Sequence, residues 1–217
     1  KPIEVNVVPP PIAVFNTRCD KYRSFMCEDL KMTVWQKRLK LHLDGQLYYE
    51  KPLNSRFLVK SALGKEADIG TNESLFWVWA KRLKQGLVYA DHEDFNKTGM
   101  PPEHNPLLFQ KSLGFDRIDV LQSKIFEKNG SYIVVNQIDN ESTKMASISA
   151  QGYLEGFVLS DLNGQTLLSA EIRKYEGDCP VEILFNWPKD QVNVQMEIKK
   201  PQLNVALDKQ LWQMPQI

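Results

Sequence analysis

The sequence predicts a mainly β fold built on one curved antiparallel sheet, with an N-terminal helix and one short internal helix. Three observations predict it. Residues 39–50 alternate nearly without error, with Leu39, Leu41, Leu43, Leu47 and Tyr49 on one side and Lys40, His42, Asp44, Gln46, Tyr48 and Glu50 on the other. That period of two is the mark of a long strand with one dry and one wet face. Two Asn-Gly dipeptides, Asn129-Gly130 and Asn163-Gly164, sit between apolar runs, the strongest short-range hairpin signal. Helical spacing is confined to two short segments.

The elements follow in order. Residues 1–11, KPIEVNVVPPP, end in three prolines, which push the preceding residues out of the helical region and make an extended leader or tether. Residues 12–217 form a single domain. A start at Lys1 rather than methionine is expected of a processed or trimmed chain from which any signal peptide is gone. Ile12, Phe15, Cys19 and Tyr22 recur at helical spacing, so about 11–23 is an amphipathic helix with proline in its first turn. Leu30, Met32 and Val34 begin the first strand. The long strand keeps its apolar phase across Asp44-Gly45, so the glycine marks a bend and not a turn, and Pro52 ends it. A second strand runs through Arg56 to Val59 and a third through Leu75 to Ala80, apolar on both faces and carrying Trp77 and Trp79.

Residues 96–103 are read as loop. Asn105-Pro106, then LLFQKSL and Gly114, supply an N-cap, a first-turn proline and a C-terminal glycine, hence a short helix over 105–113. Strands then resume as hairpins: 125–128 with 131–138, 153–162 with 166–175, and 181–185 with 192–198 across a WPKD turn.

Composition narrows the function. Lys plus Arg and Asp plus Glu are 27 each, a formal net charge of zero, which argues against nucleic acid and anionic lipid surfaces as partners. No apolar run nears the roughly 20 residues that span a bilayer. Asp91-His92-Glu93-Asp94 with His104 downstream offers metal-ligating groups, but at no known site spacing, and an acidic loop is ordinarily solvated. There is no Gly-x-Ser-x-Gly elbow and no glycine-rich phosphate loop. Neither a catalytic residue, a metal nor a cofactor is expected. Of Cys19, Cys27 and Cys179, the first two lie close enough in sequence to bridge; three reduced thiols are the equal alternative.

The aromatic strands have two readings, a closed core or a cavity wall. Strand alternation places Leu41, Leu43, Leu47, Tyr49, Phe57, Trp77 and Trp79 on the concave side of the sheet, a scaffold for something greasy rather than for chemistry. The short helix, with Leu107, Leu108, Phe109 and Leu113, is too short to stand alone in water and must dock over an apolar surface, the nearest in sequence being 75–80.

Three segments carry a resemblance. They are Gly45-Gln46-Leu47-Tyr48-Tyr49-Glu50-Lys51-Pro52 followed by Arg56-Phe57, then Thr71 to Trp79 with its Leu-Phe-Trp core, and Gln202 to Pro215 with an asparagine-terminated strand and a hydrophobic residue before proline. In this order they resemble the periplasmic lipoprotein-carrier superfamily, the LolA/LolB-like proteins, and most closely its uncharacterised lipoprotein-like members. The resemblance implies a half-open barrel with two helices plugging its mouth. It implies a non-enzymatic periplasmic protein, with an outer-membrane anchor as the further expectation, that binds a lipid or the acyl chain of a lipoprotein and meets other envelope proteins. A monomer is expected. The family's cavity arginine falls at Lys51, which the resemblance places at the cavity mouth; lysine lacks the planar fork of arginine. The alternative function is a structural or interaction lipoprotein whose core is filled by its own side chains.

Overall fold

The computed structural model describes residues 2–121, 123–137 and 142–216. Lys1, the Ile138 end of one expected strand and Ile217 lie outside the described residues. The chain runs β1 (Ile3–Glu4), α1 (Pro10–Lys21), β2 (Ser24–Gln36), β3 (Leu39–Glu50), β4 (Asn54–Ser61), β5 (Gly64–Thr71), β6 (Leu75–Ala80), β7 (Leu87–Asp91), α2 (Pro106–Ser112), β8 (Lys124–Lys128), β9 (Ser131–Gln137), β10 (Ser142–Ile148), β11 (Leu154–Asp161), β12 (Thr166–Glu176), β13 (Cys179–Trp187), β14 (Val192–Lys199) and β15 (Gln202–Leu203). All the described pairings are antiparallel, in the order β1-β8-β9-β10-β11-β12-β13-β14-β2-β3-β4-β5-β6-β7, with β15 also on β2. Two meanders, β2–β7 and β8–β14, are thus joined side by side where β14 pairs with β2. The sheet curves without closing into a barrel, the half-open form expected.

The long strand is continuous through Gly45, as its phase predicted. The bend needs glycine for space: a Cβ there would lie 2.8 Å from the Leu58 carbonyl and 3.0 Å from Met32 Cε. The Asn-Gly hairpins form β8–β9 and β11–β12. The leader is not wholly free of the domain, because β1 pairs with β8 and the Val5 amide donates to the Ile125 carbonyl at 2.8 Å. Residues 96–103 are not plain loop; 3-10 turns occupy His92–Thr98 and Pro102–His104.

One dominant core fills the concave side. It gathers Phe15 and Cys19 of α1, Leu108 of α2, Leu113 and Phe115 after it, and residues of both meanders such as Leu47, Tyr49, Phe157 and Phe185. Phe115 is fully buried, with ring centroids 4.8 Å from Phe25, 5.4 Å from Tyr49 and 5.9 Å from Tyr22. α1 is clamped from several sides. Asn16 accepts from the Ile118 amide at 2.9 Å and donates to its carbonyl at 3.1 Å. Arg18 lies 3.7 Å above the Tyr153 ring and donates to the Gly152 carbonyl at 2.6 Å. Gly152, at φ +74, is where α1 rests on the sheet: a Cβ would meet the Pro11 carbonyl at 2.7 Å, so no larger residue fits.

Candidate functional site

Cross-strand register decides which residues face the helices. Leu47 pairs with Phe57, Phe57 with Ile69, and Ile69 with Val78; directly opposed residues share a face, and these face the helices. Tyr49 belongs to the same side. Leu47 and Tyr49 are buried, each 1 % exposed, while Leu41, Leu43 and Phe57 are half-buried. Leu39, at the hairpin end of the same strand, is 45 % exposed.

Trp77 and Trp79 take the opposite face, which corrects the concave placement expected of them. Trp77 opposes Gly70 and Trp79 opposes Asp68, and those two oppose Arg56 and Leu58. The phase was illegible because LFWVWA is apolar on both sides, and a strand buried twice carries no period-two signal. Phe76 and Val78 take the concave side instead and pack with Phe95. On the convex side Trp77 is 0 % exposed. Its indole lies over Gly70, where a Cβ would come within 2.1 Å of Cζ2, and its Nε1 donates to Asp68 Oδ1 at 3.0 Å. Asp68, itself 0 % exposed, accepts a fork from Arg56 at 3.1 and 2.8 Å and one bond from Lys65 at 2.5 Å. Burial alone would raise its pKa; the hydrogen bonds from Arg56, Lys65 and Trp77 outweigh that and hold the carboxyl below its usual range. Arg56 also donates to the Leu211 carbonyl at 3.0 Å, and Asn72 to that of Trp212 at 3.1 Å. The C-terminal segment is thereby strapped over this face.

On the concave side an apolar cavity of about 290 Å³ opens between α2 and the sheet. Phe57, Ile69 and Val78 line the sheet wall, Pro106 and Phe109 the helix wall, and Trp187, Leu83 and Met100 close the sides. Phe109 bridges the two meanders, with its ring 5.3 Å from Phe57 in one and 5.3 Å from Phe185 in the other. The Asn105 side chain caps α2, accepting from the Leu107 amide at 3.0 Å. Leu108 and Leu113 sink into the core, while Leu107 is half-buried. Of the residues expected to line a cavity, Phe57 and Phe109 line this one. Ile69, Leu83, Met100, Glu103 and Trp187 line it without having been singled out, and His104, weighed only as a metal ligand, lines it too; apart from Trp187, at the end of β13, they come from a strand with weak alternation and from irregular segments.

Lys51 stands at the other end of the concave side. Its Nζ donates to the Cys19 carbonyl in the last turn of α1 at 2.5 Å, which ties the end of the long strand to a helix. Tyr49 donates to Asp116 Oδ1 at 2.8 Å beneath it. The three cysteines are unbridged and buried. Burial pushes the Cys19 and Cys179 thiols up to about 12, so they stay protonated and unreactive at neutral pH. Among the described residues no group of three His, Cys, Asp or Glu side chains could hold a metal ion. The acidic-loop residues are dispersed: His92 Nε2 lies 2.7 Å from the Asn72 carbonyl, Asp94 pairs with Lys97 at 2.7 Å, and His104 lies 3.4 Å from Asp190.

No known family model and no curated protein matches the sequence. Solved structures do match its fold. A LolA superfamily protein from Nitrosomonas europaea superposes with a TM-score of 0.58 at 9% identity, covering 94% of this chain and 97% of that one. A DUF1329 family protein from Desulfovibrio piger gives 0.60 at 8% identity, covering 94% and 95%. A domain named as an outer membrane lipoprotein-sorting protein, from Vibrio parahaemolyticus, gives 0.60 at 9% identity, covering 93% and 95%. The chain therefore has the LolA-like fold, as its motifs implied.

Proposed function

We propose that this half-barrel is a non-enzymatic binding protein of the bacterial envelope that holds a hydrophobic ligand, a lipid or the acyl chain of a lipoprotein, on its concave side. The observation that carries this reading is the apolar cavity of about 290 Å³ beneath α2. Packed cores leave few voids larger than a water, and a cavity near the lower bound of small-molecule sites, about 300 Å³, is what a ligand pocket looks like. Its cover is a helix of seven residues, too short to persist without its docking contacts. Such a cover opens at lower cost than the sheet beneath it. Phe57 and Phe109 would hold the ligand, and Leu107, Leu108 and Leu113 would return the lid; Leu41, Leu43, Leu47 and Tyr49 would extend the apolar wall once the lid is displaced. Lys51 would keep the mouth shut through α1.

The fold shared with a domain named for outer membrane lipoprotein sorting supports a periplasmic setting and contact with other envelope proteins; a tether to an outer-membrane anchor would be confined to the part of residues 1–11 outside β1 and α1. Residues 12–217 would act as one monomeric unit. No helix among the described residues is long and apolar enough to cross a membrane.

A second reading, a structural or interaction lipoprotein with a self-filled core, has its own support. Around Phe115 the concavity is packed shut by aromatic rings. Native mass spectrometry of gently purified protein, paired with uptake of a hydrophobic dye, separates the two. A retained lipid mass or saturable dye binding is expected. Bare protein that takes up no dye would establish the self-filled core instead.

A further inference from the structure

One charged residue stands where the pattern of the sheet calls for an apolar one. In β10, Ser142, Lys144 and Ala146 share a face, and Ala146 lies in the main core. Directly opposite Lys144 on β11 is Leu159, fully buried in that core. Lys144 is therefore on the concave side, half-buried. It lines a small cleft with Lys111 of α2, Asp116 and Arg117, over an apolar floor that includes Phe15 and Phe157. Among the described residues, no side-chain hydrogen bond or ion pair engages Lys111 or Lys144. The neighbouring charges are already committed. Asp116 takes the Tyr49 hydroxyl at 2.8 Å, Arg117 holds Asp20 at 3.1 and 2.8 Å, and Asp119 turns to the Leu121 amide at 2.9 Å. Burial and the charge of Lys111 outweigh the pull of Asp116 and Asp119, and hold the Lys144 ammonium below the usual lysine range. It is thus the ammonium, and not only its methylene stem, that is drawn out of water.

We propose that this cleft is an oxyanion site in which Lys111 and Lys144 clasp one phosphate group, and that the clasp latches α2 to the sheet. An anion between the two ammoniums relieves their repulsion and gives each a charge-assisted hydrogen bond. The two lysines come from different walls, a helix and a strand, and act as point charges rather than planar forks. A tetrahedral phosphate presents oxygens toward both walls, whereas the two oxygens of a carboxylate lie along one edge. The cleft offers about 20 Å³, room for about one water-sized group, so it seats one phosphate oxygen and leaves the others at its mouth. None of these residues lines the cavity under α2, so the oxyanion site stands whether or not that cavity binds a ligand.

The test follows amide exchange of residues 107–113 in the full chain at neutral pH. The probes are inorganic phosphate, dodecyl phosphate and dodecanol, the last two below their aggregation concentrations, against chloride at matched ionic strength. Two charge-assisted bonds put the dissociation constant on the order of millimolar. With about 10 mM phosphate, exchange should then slow about tenfold. Lys111→Gln and Lys144→Met should each abolish the slowing. Slowing by inorganic phosphate assigns a free anion to the site. Slowing that needs dodecyl phosphate, and that dodecanol does not reproduce, assigns a lipid head group to it. Three results overturn the site: no slowing by inorganic phosphate and none by dodecyl phosphate beyond dodecanol; equal slowing by chloride; or slowing that survives either substitution. Lys144 is then a lysine that snorkels to water. Lys111 is exposed, so Lys111→Gln keeps the fold and the outcome does not hinge on Lys144→Met.

Discussion

Phe109→Ala asks whether α2 is a lid or a piece of core. The ring makes two aromatic contacts, 5.3 Å to Phe57 and 5.3 Å to Phe185, and so joins α2 to both meanders. Aromatic pairs contribute about 0.5–1.5 kcal/mol each beyond their buried area. Losing the area of a half-buried ring costs about another 1 kcal/mol. The substitution should therefore weaken docking of α2 by about 2–4 kcal/mol, or roughly 30-fold to 1,000-fold in an opening equilibrium. Hydrogen exchange reads that equilibrium amide by amide. In the variant, the amides of residues 107–113 should exchange faster by that factor. Those of residues 41–49 should change far less, because the long strand is held by its own ladders to β2 and β4. Equal acceleration in both segments would refute the lid: α2 would then open only when the whole sheet unfolds.

Lys51→Ala removes the bond from Nζ to the Cys19 carbonyl. A loss of about 1–2 kcal/mol is expected, seen as a lower Tm together with altered dye affinity; if neither moves, Lys51 is an ordinary strand-end charge. Asp68→Asn leaves Arg56 and Lys65 facing a neutral group on a buried face and should cost about 3–5 kcal/mol at pH 7. The folded carboxyl titrates below its unfolded value, about 3.9. Its contribution is therefore fully present above that unfolded value and is lost as pH falls through the folded one. The gap in Tm between the two proteins should hold from pH 7 down to about 4 and narrow below it; parallel curves down to pH 3 would show that the Asp68 charge is not what stabilises the strap.

How much of this was legible depended on whether a residue's role was set locally. The alternation of Leu41, Leu43, Leu47 and Tyr49 survives because one side of β3 meets the core and the other meets mostly water. Asn129-Gly130 and Asn163-Gly164 give their hairpins away because only such residues tolerate the turn backbone. Strand β5, GKEADIGT, was missed: glycines and charges hide its one apolar face, and Asp68 is buried on the other by partners from three elements. β10 was missed as well, since STKMASI has little β-branched content. The face of Trp77 was invisible because LFWVWA is apolar on both sides, and the buried carboxylate that receives its indole, Asp68, sits on a strand without clear alternation. The same holds at the cavity. Phe57 and Phe109 could be named from strand and helix patterns, but Glu103 and His104 reach the rim through a 3-10 turn that no periodicity announces.

The side-by-side joining of the two meanders also dictates an order of assembly. During synthesis β2 emerges early and can pair at once with β3, its hairpin partner. Its other edge waits for β14 and β15, which are made last. Until then a thirteen-residue strand, Ser24–Gln36, offers a free ladder to any neighbouring chain. Contacts so distant in sequence also form slowly, because a long loop must close first. Nascent chains that end before Val192 are thus the species in which edge-to-edge aggregation is expected, and a holdase that covers β2 would serve this protein at that stage more than at any other.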